Sequence, residues 1–156
     1  GLTEFMKIDG ANGAVTKPLQ PAFLVHPSSN QNNFASDGSS VAVAFGTERF
    51  DQNDDFASNT FTAPVTGKYQ LNVVLRLENL DSASGFYQVS LLTSNKTYDN
   101  TFDPDFGQDA AYWTPIVSII ADMDANDTAS VTVRQNGGTT QTDIHTNSFF
   151  SGFLVC

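Results

Sequence analysis

The chain has 156 residues, one cysteine and a formal net charge of −10. A domain of this size buries roughly 70% of the surface its unfolded chain exposes, so it holds a core without staples, and the lone Cys156 rules out an internal disulfide framework. Only seven Lys and Arg stand against seventeen Asp and Glu, a balance that argues against nucleic acid and anionic membrane surfaces as partners. No apolar run approaches the ~20 residues of a spanning helix, so no membrane insertion is expected.

Residues 1–18, GLTEFMKIDGANGAVTKP, stand apart from the rest of the chain. Phe5, Met6 and Ile8 give a short apolar alternation, Gly10-Ala11-Asn12-Gly13 turns the chain, and Ala14-Val15 comes next. A two-stranded unit of this kind is marginal in water by itself. It reads as a connecting segment that an oligomer organises, with the main domain spanning residues 19–156. Gly1 in place of an initiating Met reads as the start of a fragment or a processed product, and the first ten residues lack the long apolar stretch of a signal peptide.

From there the chain shows short β-type runs between turn-forming residues. PAFLVHP comes first, then the polar SSNQNNFASDGSS, read as an exposed loop, then SVAVAFGTERF and NTFTAPVTG. GKYQLNVVLRLENL is the clearest strand: Tyr69, Leu71, Val73, Leu75 and Leu77 alternate with mostly polar neighbours. FYQVSLLTS and ASVTVRQNGG repeat the pattern, the second ending at an Asn136-Gly137-Gly138 turn. YWTPIVSIIADM is apolar on both faces, with Pro115 placing its start at an edge or bulge. The closing TNSFFSGFLVC is also two-faced: Phe149, Phe153 and Val155 share one face, Phe150 and Leu154 the other. Eight or more such strands without a convincing helix predict an all-β antiparallel sandwich or jelly roll.

Three pieces resemble one family pattern in order: PAFLV, FDQNDDFASNTFTAPVTGKYQLNVVL and SFFSGFLVC. They resemble the first strand, the most recognisable central segment and the closing strand of the complement globular-head and tumour-necrosis-factor-like superfamily, over about residues 20–156. The resemblance implies a jelly roll of about ten strands that assembles as a homotrimer about a three-fold axis. Strands near that axis are then apolar toward both the subunit core and the neighbours, so Phe149, Phe150, Phe153, Leu154 and Val155 become core or trimer-interface residues. The segment FMKIDGANGAVTKPLQPAFLV resembles the join between shaft and tip in bacteriophage tail fibres.

The catalytic inventory is thin. His26 and His145 lie in different predicted elements, Cys156 is terminal, and no Ser-His-Asp order or metal spacing involves them, so enzyme activity is not expected. Asp51, Asp54 and Asp55 could supply oxygen ligands to Ca²⁺, as could Asp103, Asp105 and Asp109, although solvated turns use the same residues. No cofactor is required. Tyr98, Phe102, Phe106, Tyr112 and Trp113 bracket Asp103, Asp105 and Asp109, and ring faces beside carboxylates suit a sugar, which makes this stretch the best receptor-binding patch. The bland alternative places Phe102, Phe106 and Trp113 in the core or trimer interface.

The expected function is a non-enzymatic trimeric tip or knob on a viral, most simply bacteriophage, fibre or other virion surface. Its partners would be itself, other virion or fibre proteins, and a host cell-surface glycan or protein. The alternatives are a purely structural capsid or tail decoration, and a secreted bacterial or animal recognition protein of the same fold.

Overall fold

Strict apolar alternation is what a strand covered on one face requires, and the longest alternating runs become the longest strands. The computed structural model describes residues 6–156; Phe5 and the rest of residues 1–5 lie outside the described residues. In chain order the strands begin with β1 (Lys7–Ile8), β2 (Val15–Thr16), β3 (Ala22–His26), β4 (Asp37–Ala42), β5 (Thr47–Gln52) and β6 (Phe56–Ala57). Next come β7 (Thr60–Thr62), β8 (Gly67–Val74), β9 (Leu77–Leu80), β10 (Tyr87–Thr93) and β11 (Thr97–Phe102). The last are β12 (Ala110–Trp113), β13 (Ile116–Met123), β14 (Thr128–Asn136), β15 (Asp143–Ile144) and β16 (Phe149–Leu154). Among the described residues there is no helix, and so none long and apolar enough to cross a membrane.

Two antiparallel sheets form a jelly roll. One has the order β13-β8-β16-β3-β5, and the other β11-β10-β14-β7-β6, with β4 also paired to β14. A small sheet, β12-β9-β15, covers one end, and β1-β2 is a separate hairpin. Between the main sheets lie Phe23, Val25, Tyr69, Leu71, Val73 and Phe150 from the first and Phe61, Tyr87, Val89, Leu91 and Val133 from the second, all essentially inaccessible. Phe23 is the hub: its ring stacks on Phe61 at 4.7 Å and meets Phe150 edge-on at 4.9 Å. Gly152 lets that hub form, because a Cβ there would come within 2.6 Å of Leu71 and 2.8 Å of Phe23.

The registers define two ends of the sandwich. Ala22 pairs with Gln52 and Phe153, and Gly67 with Met123, at the end where the hairpin enters. His26 pairs with Thr47, Val74 with Ile116 and Phe149, and Tyr87 with Phe102 and Gln135, at the other. An eight-residue strand such as β13 separates the two ends by about 25 Å.

Several readings of the sequence are corrected. GKYQLNVVLRLENL is two strands: the inward parity continues unbroken through Leu75 and Leu77, both fully buried, but at Arg76 the backbone leaves the sheet and its N–H donates to Ser148 Oγ at 2.9 Å. YWTPIVSIIADM also divides, into β12 and β13 at Pro115, and only Pro115, Val117, Ala121 and Met123 are buried while Ile116 and Ile120 face outward. The polar stretch read as a loop contains buried Phe34 and most of β4, whose Ser39 and Ser40 carry no apolar signal because they face solvent. Phe56-Ala57 and Thr60-Phe61-Thr62 form a hairpin, with Ser58 and Asn59 at φ 51° and 64° as a primed turn requires. At Gly67 a Cβ would meet the Cys156 carbonyl oxygen at 2.7 Å, where Lys68 N–H bonds to the same oxygen.

Candidate functional site

The aromatic residues of the sequence-defined patch do not all meet. Tyr98 and Phe102 sit on β11, an edge strand of alternating polarity, rather than in a loop, and both pack against the core. Tyr98 lies four residues from Phe102, toward the hairpin end, under the Lys96 ammonium at 5.4 Å. The structure gathers Phe102, Phe106, Asp109, Tyr112 and Trp113 at the far end. Here a ladder of rings runs outward: buried Tyr87 stacks on Phe102 (5.4 Å, 12°), Phe102 leans on Trp113 (5.8 Å), and Trp113 leans on Phe106 (5.4 Å, 34°). Trp113 and Phe106 remain 47% and 44% exposed, so the ladder ends as an aromatic shelf anchored in the core.

Local chemistry explains the loop that carries Phe106. Asp103 Oδ1 accepts from Asp105 N–H at 3.0 Å, Phe106 N–H donates to Pro104 O, and Gly107 takes φ +76°, turning the chain back toward β12. Asp109 then ties this loop to two others. Its Oδ1 accepts from Ser82 N–H and Oγ, both at 2.9 Å, and its Oδ2 from Gln141 Nε2 at 3.0 Å. The Ser82 N–H foremost, with Gln141 and the Ser82 hydroxyl, holds the Asp109 carboxyl below the ordinary value, so it is ionised at neutral pH. Beneath, buried Asp81 accepts from Thr139 and Ala83 N–H groups, which likewise lower its pKa. The shelf and Asp109 line an open cavity of ≈ 400 Å³. Tyr112, 64% exposed, borders it and lies 5.4 Å from the guanidinium of Arg76, which pairs with Glu78 at 2.8 Å. Ser82, Gln141 and Arg76 carry no sequence signal for this role, since their partners are remote in the chain.

The other acidic residues do different work. Both oxygens of Asp51 bond backbone N–H groups, of Asp55 and Phe56, closing the turn at left-handed Asn53 and Asp54. Burial first, then the charges of Asp51 and Asp54, push the Asp55 carboxyl up, and its Oδ2 is buried without a partner. Among the described residues no three His, Cys, Asp or Glu side chains are arranged to hold a metal ion. His26 Nδ1 bonds Ser148 O at 3.1 Å, and His145 lies 4.0 Å from Glu78, the carboxylate paired with Arg76.

A second surface is the outer face of the first sheet. Phe150 points inward and is fully buried, and half-buried Leu154 packs on the core. Phe149 and Phe153 face outward, and Val155 lies exposed beyond the strand end. The outward face also carries Leu24, Phe50, Ile116 and Ile120, with Phe50, Ile116, Ile120 and Phe153 about half exposed. Its ≈ 650 Å³ groove is lined by Leu24, Phe50, Phe149 and Phe153 among others. Within this apolar field Gln70, Asn72 and Ser118 hydrogen-bond to one another at 2.7–3.2 Å.

Comparisons with known proteins agree with this architecture. The globular domain of zebrafish complement 1qA superposes with TM-score 0.59 at 21% identity, covering 87% of this chain and 98% of that one. Murine APRIL, crystallised at pH 8.5, gives 0.61 at 9% identity, covering 87% and 99%, and at pH 8.0 gives 0.60 at 10%. A search of curated proteins found no match. The family model of the C1q domain matches residues 22–155, nearly the whole of the sandwich and none of the hairpin. The chain therefore belongs to the C1q domain family, with the jelly-roll fold it shares with tumour-necrosis-factor-like proteins.

Proposed function

We propose that this chain is a trimeric attachment tip, carried at the end of a bacteriophage fibre and exposed on the virion, which binds a host cell-surface glycan or protein without catalysing a reaction. Domains of this family are commonly trimeric, act in recognition, and are typically secreted or extracellular. The observation that carries the reading is polarity: the chain enters through the hairpin at one end, and the aromatic shelf stands at the opposite end.

The apolar outer face supports self-association. A contiguous field containing Leu24, Phe50, Phe149 and Phe153 is the kind of surface that a lone subunit does not leave in water. Three copies would then present three shelves together, and linked weak sites gain avidity of 10²–10⁴ over one, an order-of-magnitude range. The hairpin belongs with the fibre join: it lies outside the matched family residues, and Ile8 and Val15 form an exposed cross-strand pair.

Sedimentation of the full chain, together with adherence of the labelled protein to susceptible bacterial cells, tests the reading. A trimer that adheres and blocks infection is expected. A monomer overturns the assembly, and a trimer that neither adheres nor blocks infection is a structural decoration.

A further inference from the structure

We infer that the Phe106–Trp113 shelf takes an uncharged saccharide, with a sugar ring face on the indole and a hydroxyl donating to Asp109. This rests on the recognition reading and names the chemistry of its ligand.

Three features point to a sugar. First, the indole is fixed before any ligand arrives: Phe102 and Phe106 buttress it at 5.8 and 5.4 Å, and Phe102 is stacked on fully buried Tyr87. An aromatic anchor that loses little freedom on binding is an efficient contact for a flat apolar ligand face such as the C–H side of a pyranose. Second, Asp109 is a held acceptor beside that surface. A carboxylate offers about four acceptor positions; Ser82 N–H, Ser82 Oγ and Gln141 Nε2 occupy three, leaving capacity for a ligand hydroxyl. Third, the cavity of ≈ 400 Å³ is open and of small-ligand size, with exposed Gln108 supplying a further amide at its rim.

Charge selects among sugars. Asp103, Asp105 and Asp109 stand on the same loop and segment, Arg76 is already paired with Glu78, and the chain carries −10 overall. A carboxylated, sulfated or phosphorylated glycan would approach through an unfavourable field, whereas a neutral one has no such barrier.

Trp113 is the only tryptophan in the chain, so its fluorescence reports on the shelf alone. The full chain is titrated with soluble neutral hexose- and N-acetylhexosamine-terminated oligosaccharides, and with the same oligosaccharides bearing terminal sialic acid or sulfate. The expected result is a saturable emission change with neutral members that survives a calcium chelator. Phe106→Ala and Asp109→Asn should each weaken it, and Trp113→Ala should weaken retention on the immobilised oligosaccharide about tenfold or more, with folding checked by circular dichroism. A preference for the anionic set, or retention without any change in Trp113 emission, overturns the inference. Cells bound with no neutral saccharide bound also overturns it while leaving the recognition reading standing; a folded protein that binds neither sinks both.

Discussion

The two main sheets present opposite faces to the outside. The first shows Leu24, Phe50, Phe149, Phe153, Ile116 and Ile120, whereas the second shows Ser40, Gln88, Asp99, Thr132 and Arg134. Their inward faces are alike, so the core does not explain the asymmetry. A sheet in an isolated sandwich needs only one apolar face. The second sheet follows that rule and the first does not, which places the demand for a partner on one side of the molecule and leaves the other side solvated.

Strand β16 offers the sharpest break, because it serves both sides of that contrast. Phe150→Ala removes a fully buried ring in contact with Phe23, Phe45 and Phe56, and should cost about 3–5 kcal/mol in chemical denaturation, enough to compromise the fold itself. Phe153→Asp, three residues on and facing outward, should leave far-UV circular dichroism intact and convert the proposed trimer to monomer in sedimentation. An unaltered trimer would mean that this face is not the interface.

The hairpin tests how far the apolar face extends. Val15 and Phe153 line a common cavity with Pro21 and Ala22, so Ile8→Asp with Val15→Asp in the full chain should weaken the assembly less than Phe153→Asp does. Dilution series in analytical ultracentrifugation would rank the two. No change for the hairpin pair would limit the interface to the sandwich.

Protonation separates the two ends by sign. The folded pKa of Asp55 is raised above 3.8, so its charge opposes folding, and the penalty grows as pH rises from 3.8 through the folded value. Asp55→Asn should therefore raise the melting temperature at pH 7 by on the order of one or two degrees, with the gain vanishing in acid. The folded pKa of Asp81 is lowered below 3.8, so its contribution is present above 3.8 and lost as pH falls through the folded value. Asp81→Asn should lower the melting temperature at pH 7 and flatten the acid limb. The smallest effect is expected for Thr132→Asp on the solvated sheet: within about 0.5 kcal/mol in stability and no change in sedimentation.

What the residues determined by themselves was parity and class. Tyr69 to Leu77, Tyr87 to Leu91 and Val131 to Val133 alternate because each faces a core on one side only, and that periodicity is local. The excess of apolar residues in TNSFFSGFLVC was legible for the same reason, since neither parity of the run is polar. Tertiary structure decided what parity leaves open. Leu75 and Leu77 keep their alternation while the chain changes sheets, because hydrogen-bond partners such as Ser148 are remote in sequence. The shelf was legible only as a list of aromatic residues: β11 pairing turned Tyr98 and Phe102 against the core, and loops from Ser82, Asp109 and Gln141 converged to leave Trp113 and Phe106 exposed together. Side-chain pattern along one strand fixes which way a residue points, and only the packing of strands distant in sequence fixes what it meets.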